Sequence, residues 1–160
     1  IYISNILQEE LTILLHVIIA ALLSGLIGFE REKVNKPAGV RTNMLVGGAV
    51  ALLVPLGEII VQDFHNSGLS DYISADPTRV IQAIIVGISF IGAGMVLQIE
   101  KEYRIKYLTT AATILFSSGI GISVALKQYY LAVGVTLFIL FINFVIGIIA
   151  KRTIKKHKRD

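Results

Sequence analysis

The sequence has no cysteine and no tryptophan, only three prolines, and few charges: 11 Asp and Glu with 15 Lys and Arg in 160 residues. The missing cysteine excludes disulfide staples, thiol chemistry and cysteine-ligated metals. Scarce charge excludes a disordered chain, whose composition is the reverse. It also leaves too little polar surface for a soluble monomer, since 16% of the residues are charged and 54% apolar. Soluble domains hold about 25% and about 45–50% respectively. Missing too are a glycine-rich phosphate loop followed by Lys-Ser/Thr, a ligand spacing suited to zinc, and any serine with a plausible base and acid. No catalytic residue is nominated, no resident cofactor is expected, and an ATP-driven pump is excluded for this chain acting alone.

What the sequence does contain is apolar length, with a mean hydropathy of +0.74. Five runs stand out, at 11–29, 44–61, 80–99, 108–126 and 129–150, and Glu58 is the only formal charge inside any of them. A hydrocarbon core about 30 Å thick takes roughly 20 such residues per helix. Backbone in lipid must satisfy its own hydrogen bonds, so each run is expected to be helical. The alternating pattern of a membrane barrel is absent. The expectation is an all-α polytopic membrane protein: a compact bundle of five transmembrane helices over residues 1–150, then a basic tail over 151–160.

Basic loops mark the cytoplasmic side. Thirteen of the 15 Lys and Arg fall in the first loop, the third loop and the tail, and two on the other side. That places the N-terminus outside and the C-terminus in the cytoplasm. The isoelectric point near 9.4 then reflects attraction to an anionic leaflet, about 1 kcal/mol per basic residue. Nucleic acid is not an expected partner, because no reader module accompanies the charge. The lipid bilayer is.

Helices in lipid associate through small residues that allow close approach. Candidate packing positions are Gly25 and Gly28 with Ala20 and Ser24, then Gly87, Gly92 and Gly94, and Gly121. Span four aligns Thr110, Thr113, Ser117 and Gly121 with Thr109 alongside, and span five aligns Ala132, Thr136, Asn143 and Gly147. Hydroxyls on these faces either bond back to their own helix or line a polar path. Both readings stand.

Three features exceed packing. Glu30-Arg31-Glu32-Lys33 leads through Lys36-Pro37-Ala38-Gly39 to Arg41 and Asn43. Glu30 facing Arg41 across that turn would be partly desolvated; the alternative is a solvated interface. Asp76-Pro77-Thr78-Arg79 opens span three as an ordinary capped start. From Arg79 a polar face continues through Gln82, Val86, Ser89 and Ala93, and Asp76 and Arg79 are spaced to pair. Glu58 lies inside span two, where an ionisable group is a functional candidate by default. Asn143 is expected to bond a neighbouring helix, and His16 to be packed and hydrogen-bonded.

With those residues in hand, the chain resembles the MgtC/SapB family of bacterial inner-membrane proteins over roughly residues 11–130. The resemblance rests on five ordered blocks: Gly25-Leu-Ile-Gly28-Phe-Glu30-Arg31-Glu32; Lys36-Pro37-Ala38-Gly39-Val40-Arg41-Thr42-Asn43; Asp76-Pro77-Thr78-Arg79; Gly87-Ile-Ser89-Phe-Ile-Gly92-Ala93-Gly94; and Leu108-Thr109-Thr110-Ala111-Ala112-Thr113. Ser89 and Tyr107 stand where the family more often has Gly. The resemblance implies a multi-pass protein of the bacterial inner membrane, of the short, membrane-only branch, serving ion transport or magnesium homeostasis. Mg2+ would be its substrate or ligand. Assembly as a homodimer or higher homo-oligomer is expected. On the transport reading, Asp76 stands outside, Arg79, Gln82, Ser89, Thr109, Thr110 and Thr113 within, and Glu30, Arg41 and Asn43 at the inner mouth. The alternative is a non-transporting module that binds and modulates another membrane complex, such as ATP synthase.

Overall fold

A computed structural model describes residues 2–67, 76–97 and 107–157. Among these, the apolar runs form five α-helices and no strand: α1 Tyr2–Lys33, α2 Val40–Asn66, α3 Pro77–Leu97, α4 Leu108–Ala125 and α5 Tyr129–His157. Four are long and apolar enough to cross a membrane, at Ile6–Lys33, Val40–Asn66, Thr78–Val96 and Leu108–Ala125, and Tyr129–Val145 is a shorter apolar stretch. The helices overrun the apolar runs at both ends of α1 and at the end of α2. Helix α5 continues without a break into the basic tail as far as His157. The third-loop cations Lys101, Arg104 and Lys106, and the tail cations Lys158 and Arg159, lie outside the described residues.

The α1–α2 connection is short, and its first three amides are hydrogen-bonded. Val34 and Lys36 donate backbone N–H bonds to Arg31 O at 3.2 and 3.0 Å, and Asn35 donates to Glu32 O at 3.0 Å. Asn35 and Ala38 take positive φ values of 52° and 58°, the left-handed region that lets a chain reverse after a helix. The first amide of α2 has no partner within its own helix. Val40 N–H meets that need by donating to Glu32 Oε2 at 3.1 Å.

Close approach of backbones fixes the register of the helices. A methyl group at Gly28 would sit 2.6 Å from the Gly39 carbonyl oxygen, and one at Gly25 would sit 2.8 Å from the Met44 side chain. Further along, a methyl at Gly47 would overlap the Ser24 hydroxyl. Thus α2 returns antiparallel along α1. Helix α4 runs parallel to α2, so close that a methyl group at Gly121 would sit 2.5 Å from the Gly47 carbonyl oxygen. Helix α3 runs back along α2, its Val80 pressed on Gly57, and its Gly92 meets Ala111 of α4. Gly87 and Gly94 have no atom within 4 Å of where a side chain would start. Contrary to the expectation, they draw no helices together among the described residues, where α3 turns Ile84 and Gly92 inward instead.

The helices therefore alternate in direction. One end of the bundle carries the α1–α2 turn and the start of α4; the other carries the start of α1 and the α4–α5 turn. The interior between them is small and aliphatic. Ala20, Ile27, Ala51, Ile120, Val124, Ala132 and Ile139 form one cluster, and Val50, Val54 and Ile84 a second.

Candidate functional site

The buried seam of α1 reads His16, Ala20, Ser24, Ile27, Arg31, all nearly or fully enclosed. Steps of three and four residues keep these positions on one helical face. A helix in lipid can turn its aliphatic residues outward at no cost. Leu14, Leu15, Leu22 and Leu26 do so here, which leaves the polar and small residues for the interior.

At the α1–α2 end, Arg31 is only 5% exposed. Its Nε lies 3.8 Å from Glu30 Oε2, and its Nη1 donates to Asn143 Oδ1 of α5 at 3.4 Å. Asn143 in turn donates from Nδ2 to Glu30 Oε2 at 2.8 Å. Acid, base and amide close a three-membered ring of contacts that ties α5 to α1. The expected pairing of Glu30 with Arg41 does not occur: Arg41 is exposed on the first turn of α2. Glu30 instead has the adjacent guanidinium and the Asn143 amide, which α5 delivers to the same face. Arg31 Nε has no hydrogen-bond partner among the described residues.

Asn43 is fully enclosed one turn into α2. Its Nδ2 donates to the carbonyls of Ala38 at 2.6 Å and Gly39 at 2.9 Å. Its Oδ1 accepts from Ser117 Oγ of α4 at 2.7 Å. Ser24 Oγ lies 3.4 Å from the Ser117 carbonyl. Thr110 and Thr113 are buried on the same α4 face, whereas Thr109 is exposed. Thr113 bonds back to Thr110 O at 2.8 Å, and the Thr110 hydroxyl has no partner among the described residues.

At the α4–α5 end, a polar cavity of about 510 Å³ is lined by residues that include Glu9, Thr12, His16, Glu58, Gln62 and Lys127. Glu58 faces this cavity rather than sharing the enclosure of Asn43, Gly47 and Ala51 on its own helix. His16 Nε2 and Tyr129 Oη are 2.7 Å apart and share a proton, which pins the start of α5 to α1. A separate cleft of about 700 Å³ between α2 and α3 is wholly aliphatic and holds none of the polar candidates.

On α3, the Asp76 carboxylate accepts from the Thr78 amide at 2.9 Å and from its hydroxyl at 2.7 Å. It does not pair directly with Arg79, because the capping geometry turns it toward Thr78. Those Thr78 bonds, hydroxyl first, hold the Asp76 carboxyl below the ordinary carboxylate range; Arg79 adds a smaller pull and slight desolvation opposes it. Arg79, Gln82, Val86, Ser89 and Ala93 are all exposed, and Ser89 and Ala93 border, with Gly92, an open groove of about 500 Å³ between α3 and α4. Of the polar face expected to line a path with span four, only the Ser89–Ala93 end borders that helix, and it meets Leu108, Ala111, Ala112 and Leu115 rather than Thr109, Thr110 and Thr113. The structure brings Glu30 and Asn43 to one end and Asp76, Arg79 and Glu58 to the other.

Sequence reasoning names Arg31 and Glu32 within a charged run without giving either a role, and passes over Tyr129. For Arg31 a signal existed: position 31 continues the three-and-four spacing of His16, Ala20, Ser24 and Ile27. Among the described residues, no three His, Asp or Glu side chains converge as a metal cluster.

Apolar helices with polar groups turned inward along their seams define a multi-pass α-helical membrane protein. The chain belongs to the MgtC family, whose profile matches residues 17–152. It is 33% identical over 120 residues to the Escherichia coli K12 protein named putative magnesium transporter YhiD, covering 75% of this chain and 54% of that one. With the protein named MgtC from Brucella abortus it shares 35% identity over 124 residues, 78% of this chain and 47% of the relative. The Salmonella typhimurium protein named MgtC is 32% identical over 139 residues, 87% of this chain and 54% of the other. The chain thus spans about half the length of these relatives. No solved structure matches it.

Proposed function

We propose that the chain serves magnesium homeostasis in a bacterial inner membrane by moving a small hydrated ion through its α1–α2–α4 core. Membership of a family with a relative named as a putative magnesium transporter supports magnesium as the ion. The observation that carries the reading is the α1 seam. A wet cavity bearing Glu9 and Glu58 leads to His16. An aliphatic layer of Ala20, Ala51, Ile120 and Val124 follows. Beyond it come Ser24, Asn43 and Ser117, and then the Glu30–Arg31–Asn143 ring. Polar groups approach the layer from both ends, as in a carrier held closed. Mg2+ keeps several of its waters and takes few carboxylates, so the few acids at the two mouths, Glu9 and Glu58 at one and Glu30 at the other, suit it as substrate. The enclosure of Ala20, Ala51 and Ile120 also favours a second reading, a non-transporting module that modulates another membrane complex such as ATP synthase.

Proteoliposomes holding the full chain, loaded with a Mg2+ indicator, test the proposal. Wild type is expected to pass Mg2+, and Glu58→Gln to slow it several-fold with folding intact. A well-folded sample that passes no ion overturns transport and leaves the regulatory reading.

A further inference from the structure

We propose that two copies of this chain pair side by side through α3, along Arg79, Gln82, Val86, Ser89 and Ala93. The inference holds whether or not the chain moves ions. These five positions are separated by three, four, three and four residues, the spacing of a left-handed two-helix seam. All five are exposed. Helix α3 is the least enclosed of the four spanning helices, with 11% of its apolar window buried against 33–44% for the others. Its inward side, Ile84 and Gly92, already serves α2 and α4. Ser89 and Ala93 border an open groove shared with α4, and all five seam positions stay exposed rather than joining the core.

Lipid does not satisfy this face. Gln82 carries two N–H donors and an acceptor, and it has no hydrogen-bond partner among the described residues. Amide side chains on membrane helices find that partner on a neighbouring helix. Ser89 has already spent its proton on Ile85 O at 2.8 Å, so it contributes small size rather than an unmet bond. Gly94, next after Ala93, leaves open space where a side chain would stand, which permits close approach.

Why the partner is a second copy follows from symmetry. Two copies inserted in the same direction are related by an axis along the membrane normal, so equal positions meet. Gln82 then faces Gln82 of the second copy, and an amide is complementary to itself. Arg79 would face its like, but Asp76 lies three residues earlier on the same exposed end. Within one chain Asp76 is bonded to Thr78, and Arg79 acts on it only at longer range. Across the axis, Asp76 of each copy comes beside Arg79 of the other and offsets the repulsion twice. An acyl chain would leave both the amide and the guanidinium unmet.

The absence of cysteine makes the test direct, since each introduced thiol is the only one in the chain. Full-length Gln82→Cys, Val86→Cys, Ser89→Cys and Ala93→Cys variants are oxidised in membranes and resolved on non-reducing gels. Ile91→Cys serves as an off-seam position on α3, and Leu137→Cys on α5 as a collision reference; both residues are exposed. The seam variants are expected to form disulfide dimers several-fold faster than both references. Equal rates at all positions, a maximum at Ile91, or capture of a different protein in place of a dimer overturns the proposal. As a second measurement, Gln82→Leu, which alters only an exposed side chain, is expected to lower the dimer fraction several-fold on extraction in mild detergent. An unchanged fraction removes the contact, and the proposal with it.

Discussion

Ser117 of α4 donates its hydroxyl proton to the side-chain carbonyl of Asn43, 2.7 Å away in the first turns of α2. The Asn43 amide nitrogen spends its two protons on the carbonyls of Ala38 and Gly39. One fully enclosed side chain thus caps the α1–α2 turn and holds α4 against it. The arrangement explains how a turn containing two left-handed residues, Asn35 and Ala38, keeps one conformation.

Ser117→Ala leaves the Asn43 oxygen buried without a donor, at a cost of about 1–3 kcal/mol. Asn43→Leu is expected to cost more, because it strips both turn carbonyls as well. Unfolding in mixed micelles, followed by helical circular dichroism, gives the ranking. Equal effects would mean that the amide end contributes nothing.

Glu30 and Arg41 are expected to separate sharply. Glu30→Gln keeps an acceptor for Asn143 but removes the charge beside the enclosed Arg31, which costs about 1.5–3 kcal/mol. Arg41→Gln changes an exposed residue and is expected to stay within about 0.5 kcal/mol of wild type. The same unfolding assay reads both. A larger loss at Arg41 would contradict the observed pairing.

Gly47 and Gly134 form a second contrast. A methyl group at Gly47 meets Ser24 and the Ala20 carbonyl, whereas Gly134 has nothing within 4 Å. Gly47→Ala is expected to lose about 1–3 kcal/mol by overpacking. Gly134→Ala is expected to be neutral or to gain up to about 1 kcal/mol of helix propensity. Thermal stability of the purified variants checks the sign of each.

The start of α3 should loosen in acid. The Asp76 carboxyl sits below its ordinary range because Thr78 bonds to its charged form. Its contribution is therefore complete above the unfolded-state value, near 3.9, and falls away as pH drops through the lower folded value. Amide exchange at Thr78 is expected to be flat from neutral pH to about 5, after correction for intrinsic rates, and to lose protection below that. Asp76→Asn should abolish the pH dependence while keeping a cap. Loss of protection beginning near neutral pH would point to another group.

Sequence alone determined the solvent, the number of apolar helices and the family. Those follow from properties summed over many residues: the length of uncharged runs and five motif blocks in order. It also marked Asn43, Asn143 and the α4 hydroxyls, since polar groups inside apolar runs must find partners. Which partners they find was decided only by the tertiary fold. Glu30 had two arginines within reach along the chain, and α5 brought Asn143 to the same face as Arg31, so the nearer guanidinium was enclosed and Arg41 was left outside. The polar face of α3 was legible as a face but not as an outward one, because periodicity fixes which residues share a side and says nothing of where that side points. Direction is set by neighbours, and for α3 the small surfaces of Gly57 and Ala111 on other helices accept Val80 and Gly92, which leaves Arg79 and Gln82 outside the bundle and Ser89 at the edge of a groove with α4.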